Sequence, residues 1–153
     1  MSLTMKNVLL LFCFLSFSSF AQKANLETVK SFWETIIIPI TEYKEEVILK
    51  NTQFPLSGSW GYYLDLKEDE ANWDQSVFQK KLHAVFSPEF RSRLKEMNFN
   101  YLVHHTDTEG KFHFILQVNF SQTKNGITSD LFYFLYFTQY DEVWKLYQIE
   151  IAG

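Results

Sequence analysis

The chain has 153 residues and a formal net charge of −4, with 46% apolar, 21% charged and 18% aromatic residues. This composition excludes a disordered, collagen-like or low-complexity protein and a polytopic membrane protein, and the length fits one ordinary domain. The acidic balance argues against nucleic acid as a partner. The one short basic cluster, residues 91–95, is typical of the solvated face of a helix.

Residues 1–21 have the pattern of a secretory signal peptide. Lys6 precedes an apolar run at residues 8–15, and Ser19-Phe20-Ala21 places small residues at the two positions that signal peptidase recognises. We therefore expect export, cleavage near Ala21 and a single periplasmic domain at residues 22–153. A retained membrane anchor is the alternative, but the apolar run is short for a bilayer span, so no stable membrane span is expected after cleavage.

The single cysteine, Cys13, lies inside this segment, and Met5 is an alternative start of the same segment. Cleavage would leave a mature domain without cysteine. Disulfides, thiolate nucleophiles and Cys-based metal sites are therefore not expected.

The first half of the mature chain predicts helices. Apolar residues recur at helical spacing from residue 29 to residue 40, and Pro39 should end or kink this first helix. A short second helix should end before Asn51. Residues 52–61 indicate the entry of a strand, and the acidic residues 65–74 predict a surface loop.

Two capping signals predict the next two helices. Asp74 precedes one apolar helical stripe as a candidate N-cap. Ser87 precedes a second stripe, with Pro88 at the first helical position and Glu89 near the positive end of the helix dipole.

From residue 99 onward the apolar pattern has a period of two, which is typical of strands. We expect an edge strand that starts at residue 99, followed by three long strands joined by tight turns at Asn125-Gly126 and Asp141-Glu142. The predicted fold class is therefore α+β, with N-terminal helices packed on a long curved antiparallel sheet.

The two turns predict a register in which Phe120 faces Leu131 and Tyr136 faces Tyr147. Both faces of such a sheet are apolar, and the helices can cover only one of them. The second face is then an exposed aromatic patch that needs a partner, and we expect a homodimer. The predicted interface residues are Phe132, Phe134, Tyr136, Tyr147 and Ile149. A sheet that curls and covers itself is the alternative.

Four short motifs occur in a characteristic order: Phe32-Trp33, Phe54-Pro55-Leu56, Phe86-Ser87-Pro88-Glu89-Phe90 and Val143-Trp144-Lys145-Leu146. In this order the chain resembles the nuclear transport factor/ketosteroid isomerase-like cone-fold superfamily, and in particular its small exported domains from Gram-negative bacteria. The resemblance covers nearly all of the mature chain. Most such exported domains have no assigned activity.

The resemblance implies a pocket between the helices and the concave face of the sheet. Its candidate lining residues are Tyr101, His105, Phe114, Tyr133, Phe137 and Trp144. We expect a binding domain for a small apolar ligand or an envelope protein, without a cofactor. A cofactor-free isomerase- or hydrolase-like enzyme is the alternative, but no residue matches the buried Asp or Glu base of the enzymatic members, so no catalytic residue is assigned. A third hypothesis is an interaction module whose cone is filled by its own aromatic side chains.

One polar cluster could carry chemistry, namely His104, His105, Asp107 and His113. Adjacent strand residues point to opposite faces, so His104 and His105 cannot both bind one metal ion, and no metal site is predicted. Aromatic residues beside the acidic loop could stack on sugars, although core packing explains them equally well. They are Trp60, Tyr62, Tyr63 and Trp73.

Overall fold

The computed structural model describes residues 26–59, 72–124 and 126–153. The predicted signal peptide, the sugar-stacking candidates Trp60, Tyr62 and Tyr63, and most of the predicted acidic loop lie outside these described residues.

The first helical segment continues past its proline. Helix α1 (Leu26–Phe32) leads through a π-helical turn (Trp33–Ile37) into α2 (Ile38–Thr41). In the π turn the backbone N–H of Ile38 donates to the carbonyl of Trp33, five residues back. Pro39 does not end the helix, because it lies in the first turn of α2, where its missing N–H is tolerated.

Three further helices confirm the predicted positions. Helix α3 (Glu45–Lys50) is the short second helix, and α4 (Gln75–Val85) and α5 (Pro88–Lys95) follow. Both predicted caps are present. The backbone N–H of Val77 donates to Asp74 Oδ1 at 2.8 Å, and the backbone N–H of Phe90 donates to Ser87 Oγ at 3.3 Å.

One six-stranded sheet contains all the described strands, in the order β2-β1-β6-β5-β4-β3. The strands are β1 (Thr52–Ser59), β2 (Asn72–Trp73), β3 (Leu102–Thr106), β4 (Phe112–Lys124), β5 (Ile127–Tyr140) and β6 (Val143–Ala152). The sheet is mixed rather than wholly antiparallel, because β1 runs parallel to β6. A 3₁₀ turn at Phe99–Tyr101 also delays the start of the edge strand to Leu102. The α+β class is confirmed, and the element order is consistent with a cone-like fold.

The register of the β4–β5 hairpin is the predicted one, with Phe120 opposite Leu131. The β5–β6 register follows the prediction only at its start. Tyr136 lies opposite Gln148 instead of Tyr147, because Tyr147 is an extra residue that forms a β-bulge. The bulge reverses the alternation of the second half of β6, so Ile149 faces the core.

The core lies between the helices and one face of the sheet. Its largest fully buried side chains include the helical residues Phe32, Phe78, Phe86 and Phe90 and the strand residues Phe114, Tyr133 and Phe137. The buried apolar side chains of the described helices belong to this one cluster, apart from Pro39. The helices therefore cover one sheet face, as predicted.

The opposite side of the sheet, here called the outer face, follows from the pairing of the strands. It carries Val103 and His105 of β3, His113, Ile115, Gln117 and Asn119 of β4, Phe132, Phe134 and Tyr136 of β5, and Tyr147, Gln148 and Glu150 of β6.

Candidate functional site

Three of the six predicted pocket residues gather in a core cluster. Phe114, Phe137 and Trp144 surround the ring of Phe32, with centroid distances of 4.7, 5.0 and 5.2 Å. Phe114 and Phe137 are at most 1% exposed, while Trp144 is half-buried. These three predicted pocket residues are therefore in direct contact with a side chain of α1.

Tyr133 lies in a separate part of the core. Its ring is 4.9 Å from that of Phe90 and 5.4 Å from that of Phe120. Burial raises the pKa of the Tyr133 hydroxyl well above its ordinary value. The hydroxyl therefore stays protonated at physiological pH, where it could donate a hydrogen bond but could not act as a base.

The other two predicted pocket residues do not face the core. Tyr101 lies in the 3₁₀ turn and is 50% exposed. His105 pairs with His113 on the outer face, whereas the core-facing position at the start of β3 belongs to Leu102, opposite Leu116. The prediction that both residues line the cone was wrong, because the 3₁₀ turn removes Tyr101 from the strand and the pairing register turns His105 outward.

One small cavity lies inside the described part of the fold. A cavity of about 10 Å³ lies between α2, α3 and β6, where Ile40, Ile48 and Leu146 are among its lining residues. That volume is at the lower limit for a single water molecule. It is far too small for an apolar ligand.

A larger groove of about 270 Å³ lies at the surface beside β4 and is lined by Arg93, Asn119, Phe120, Ser121, Asp130 and Phe132. Its charged groups already have partners. Arg93 Nε donates to the carbonyl of Asn119 at 3.2 Å and its guanidinium contacts Glu96, while Ser121 Oγ donates to Asp130 at 2.7 Å.

The outer face carries a buried histidine. His113 is 9% exposed, and its Nε2 lies 3.0 Å from Asp107 Oδ2. Asp107 Oδ1 accepts hydrogen bonds from the backbone N–H groups of Glu109 and Lys111. The contact with His113 and these backbone bonds lower the pKa of Asp107. His113 Nδ1 is buried without a hydrogen-bond partner among the residues that the structure describes.

Ring contacts connect this histidine to the aromatic residues of the outer face. The centroid distances are 6.2 Å from His105 to His113, 5.6 Å from His113 to Tyr147 and 6.3 Å from Tyr147 to Tyr136. The rings therefore form a continuous row across β3, β4, β6 and β5. The sequence indicated the polar residues of this row but not that they continue into the aromatic patch.

The carboxylate of Glu150 accepts a hydrogen bond from Tyr136, the last ring of the row. Tyr136 Oη donates to Glu150 Oε2 at 2.8 Å, and Gln148 Nε2 donates to Glu150 Oε1 at 2.7 Å. Burial and the hydrogen bond to Glu150 raise the pKa of Tyr136 to about 12. Each carboxylate oxygen of Glu150 thus accepts one hydrogen bond.

Four of the five predicted interface residues lie on the outer face. Phe132 is exposed, and Phe134, Tyr136 and Tyr147 are half-buried. Ile149 is fully buried in the core, because the bulge at Tyr147 turns it to the other side of the sheet. The prediction for Ile149 was wrong. Val103, which is 59% exposed, is an outer-face residue that the sequence-based set did not include.

None of the buried polar side chains in the described part of the chain is a carboxylate. These side chains are Thr52, Ser87, His113 and Thr138. Within the same residues, no group of three or more His, Cys, Asp or Glu side chains is placed to hold a metal ion. No helix in the described ranges is both long and apolar enough to cross a membrane.

Comparison with known proteins found solved structures of low similarity to this chain. No family model matches the chain, and no curated protein matches it. A designed protein whose title begins "Rd1NTF2_05" and names five substitutions is 11% identical, with a TM-score of 0.47, over 82% of this chain and 97% of that one. A second, titled "Rd1NTF2_05 with long sheet", is 11% identical, with a TM-score of 0.43, over 88% of this chain and 100% of that one.

The observed helix order and strand pairing define the class: a small α+β domain with an aromatic core on one side of the sheet and an aromatic outer face on the other.

Proposed function

We propose that this chain is an exported, periplasmic binding domain that acts through the outer face of its sheet, and that a second copy of the chain covers this face. The observation that carries the proposal is the contrast between the two faces. On the core-facing side of the sheet, Phe114 is buried against Phe32, whereas Phe132 and Val103 are exposed on the outer face at 37% and 59%.

The outer face has the composition of a protein interface. It combines the apolar and aromatic residues Ile115, Phe134 and Tyr136 with the exposed polar residues Gln117 and Asn119. Protein interfaces commonly combine aromatic and apolar contacts with polar ones. A homodimer uses the same patch twice, and twofold dimers are the commonest assembly of soluble proteins.

Packing favours this proposal over a small ligand inside the cone. The aromatic cluster around Phe32 is compatible with an apolar ligand only if one of its rings moves, since Phe114 and Phe137 are fully buried against it. The isomerase- or hydrolase-like alternative lacks support from the described core, which contains no buried carboxylate to serve as the base.

Export and dimer formation can be tested together. The full chain is expressed in a Gram-negative host, the periplasmic product is purified, and its N-terminus and mass are measured. We expect an N-terminus at Gln22 and a dimer by analytical ultracentrifugation at micromolar concentration. A cytoplasmic, uncleaved product would contradict the proposed export, and a monomer would contradict the proposed dimer.

A pair of variants on the same strand locates the interface. Phe132 and Ile127 are both exposed apolar residues of β5, but only Phe132 belongs to the outer-face patch. Phe132→Lys should convert the dimer to a monomer, and Ile127→Lys should leave it intact. Equal effects of the two substitutions would show that the dimer uses another surface.

A further inference from the structure

We propose that the edge of β4 beyond Leu116 is a docking site at which an extended peptide with a basic side chain adds as one more antiparallel strand. The site uses the edge of the sheet rather than its outer face, so it does not require the dimer proposed above. The supporting observations are an unpaired strand edge, the direction of its backbone groups and a groove with a carboxylate beside it.

β4 is much longer than the strand that covers its edge. It spans Phe112–Lys124, whereas β3 pairs only with the residues from Phe112 to Leu116. In the part of the chain that the structure describes, no strand pairs with this side of β4 after Leu116. Residues 117–123 therefore form an unpaired edge, which is called the open edge below.

The hairpin register decides which backbone groups point outward from the open edge. Lys124 and Ile127 close the β4–β5 hairpin, and such a closing pair exchanges hydrogen bonds between the two strands. Because hydrogen-bonded pairs alternate with pairs whose backbone groups point away from each other, every second residue of the open edge directs its N–H and C=O away from β5. These residues are Gln117, Asn119, Ser121 and Thr123. The side chain of Arg93 agrees with this direction, since its Nε donates to the carbonyl of Asn119 at 3.2 Å.

The open edge lacks the usual protection against strand pairing. Exposed edges are commonly blocked by charged residues, prolines or bulges within the strand. Residues 117–123 contain neither proline nor a charged residue, and their pairing with β5 has no register shift. An edge of this kind favours the addition of another strand.

An extended peptide is the ligand that matches these backbone groups. The outward N–H and C=O groups recur at every second residue, about 7 Å apart, and an extended backbone presents its own groups at the same spacing. The expected direction is antiparallel, because β3 pairs with the first part of the same edge in that direction. A small molecule could satisfy only a few of these groups at once.

The surface groove beside the open edge indicates which side chain the peptide should carry. The groove has a volume of about 270 Å³, and residues 119–121 line it together with Asp130. Asp130 lies opposite Ser121 on the outer face, and its carboxylate accepts a hydrogen bond from the neutral Ser121 hydroxyl. That bond leaves the negative charge of Asp130 in place, whereas the charge of Arg93 is balanced by Glu96. A lysine that the peptide directs to the outer face would lie on the same side as Asp130, so charge complementarity favours a basic peptide.

The first test measures the binding of a fluorescein-labelled peptide, Thr-Val-Lys-Val-Thr-Val-Thr, to the purified exported protein by fluorescence anisotropy. In antiparallel pairing with the lysine on the outer face, the N–H groups of the lysine and the threonines point to β4, and those of the valines point away. We expect N-methylation of the lysine and the central threonine to weaken binding at least about 10-fold, and N-methylation of two valines to weaken it less than about 3-fold. The two methylated peptides have the same mass and charge, so each is the control for the other.

Variants of the protein provide the second test. Ser121→Pro removes one outward N–H of the open edge, where a strand tolerates proline, and should weaken binding at least about 5-fold. Thr128→Pro is the matched control and should leave binding unchanged. Thr128 also directs its N–H away from the partner strand, but from the opposite side of the hairpin, and it precedes the pairing of β5 with β6 that starts at Phe132. Asp130→Asn keeps an acceptor for Ser121 but removes the charge, and should weaken binding about 2- to 5-fold.

Each other outcome overturns a defined part of the proposal. Absence of binding up to millimolar peptide refutes the docking site, and equal effects of the two methylation patterns refute strand pairing. Equal effects of Ser121→Pro and Thr128→Pro, with both variants folded by circular dichroism, place the peptide elsewhere. If Ser121→Pro does not fold, the methylated peptides decide. An unchanged affinity of Asp130→Asn refutes the preference for a basic peptide. If sedimentation velocity shows that Ser121→Pro separates associated chains and that the peptide does not compete, a second copy occupies the edge and the peptide proposal is wrong.

Discussion

The ring of Phe114 lies 4.6 Å from the indole of Trp144, centroid to centroid, with an angle of 31° between the two planes. Phe114 belongs to β4 and is buried, whereas Trp144 belongs to β6 and is half-buried. Both rings also contact Phe32 of α1. The three rings together therefore join α1 to β4 and β6, two strands that are not neighbours in the sheet.

Removing the Phe114 ring should destabilise the fold strongly. Phe114→Ala leaves a cavity among three aromatic rings, and such a change lowers the free energy of unfolding by about 3–5 kcal/mol. Ile127→Ala serves as the control, because Ile127 is 70% exposed and its truncation should cost no more than about 0.5 kcal/mol. Urea unfolding followed by tryptophan fluorescence measures both values. A loss below about 1 kcal/mol for Phe114→Ala would argue that the cluster is loosely packed.

The cap of α5 should contribute measurably to stability. Ser87 Oγ accepts the backbone N–H of Phe90, so Ser87→Ala leaves that donor without its partner and should cost about 1 kcal/mol. Ser92→Ala replaces an exposed serine within the same helix and should be neutral or slightly stabilising, since alanine has the higher helix propensity. Thermal unfolding of the two variants distinguishes the cap from a general effect of serine removal.

A glycine substitution in the β5–β6 turn should stabilise the protein. Asp141 and Glu142 have φ angles of 49° and 64°, a left-handed conformation that glycine adopts without steric cost. Glu142→Gly should therefore raise the free energy of unfolding by about 1 kcal/mol.

The β4–β5 turn provides the reciprocal test. Gly126 has a φ of 78° and no atom within 4 Å of the position where a Cβ would be placed. Gly126→Ala should destabilise the protein through backbone strain alone, without a steric clash. If both turn variants shift the urea midpoint in the same direction, the backbone explanation fails.

Acid should remove the stabilising effect of Asp107. The hydrogen bonds from His113 and the turn backbone lower the folded-state pKa of Asp107, so the ionised carboxylate stabilises the fold above the unfolded-state value of about 4. This contribution disappears as the pH falls from about 4 through the lower folded-state pKa. The wild type should thus exceed Asp107→Asn in stability at pH 6, and the difference should shrink at pH 3. Urea midpoints at the two pH values provide the measurement, with Glu109→Gln as the control in the same turn.

Local signals explain which parts of the fold could be predicted. The caps at Asp74 and Ser87 and the two hairpin turns each depend on a few consecutive residues. Both caps and the turn at Asp141-Glu142 were confirmed. The β4–β5 register agrees with the predicted turn at Asn125-Gly126, of which Asn125 lies outside the described residues. The parallel pairing of β1 with β6 joins distant segments, and no local pattern predicts it. Similarly, the apolar period identifies Phe114 as a core-facing residue but does not show that Phe32 fills the space in front of it.

The bulge was predictable in principle. The first half of β6 contains the apolar residues Trp144 and Leu146, and the second half contains the apolar residues Ile149 and Ile151. The step of three between Leu146 and Ile149 breaks the period of two, which is the pattern that an inserted residue produces. The sequence-based register assumed an unbroken period, and for that reason it placed Ile149 on the outer face.

Deletion of Tyr147 would therefore shorten β6 without changing its faces. Leu146 would then be followed directly by Gln148, and the unbroken alternation would keep Gln148 and Glu150 on the outer face and Ile149 and Ile151 in the core. Among related chains, we expect either one or two residues between Leu146 and Ile149, with apolar side chains kept at both of these positions.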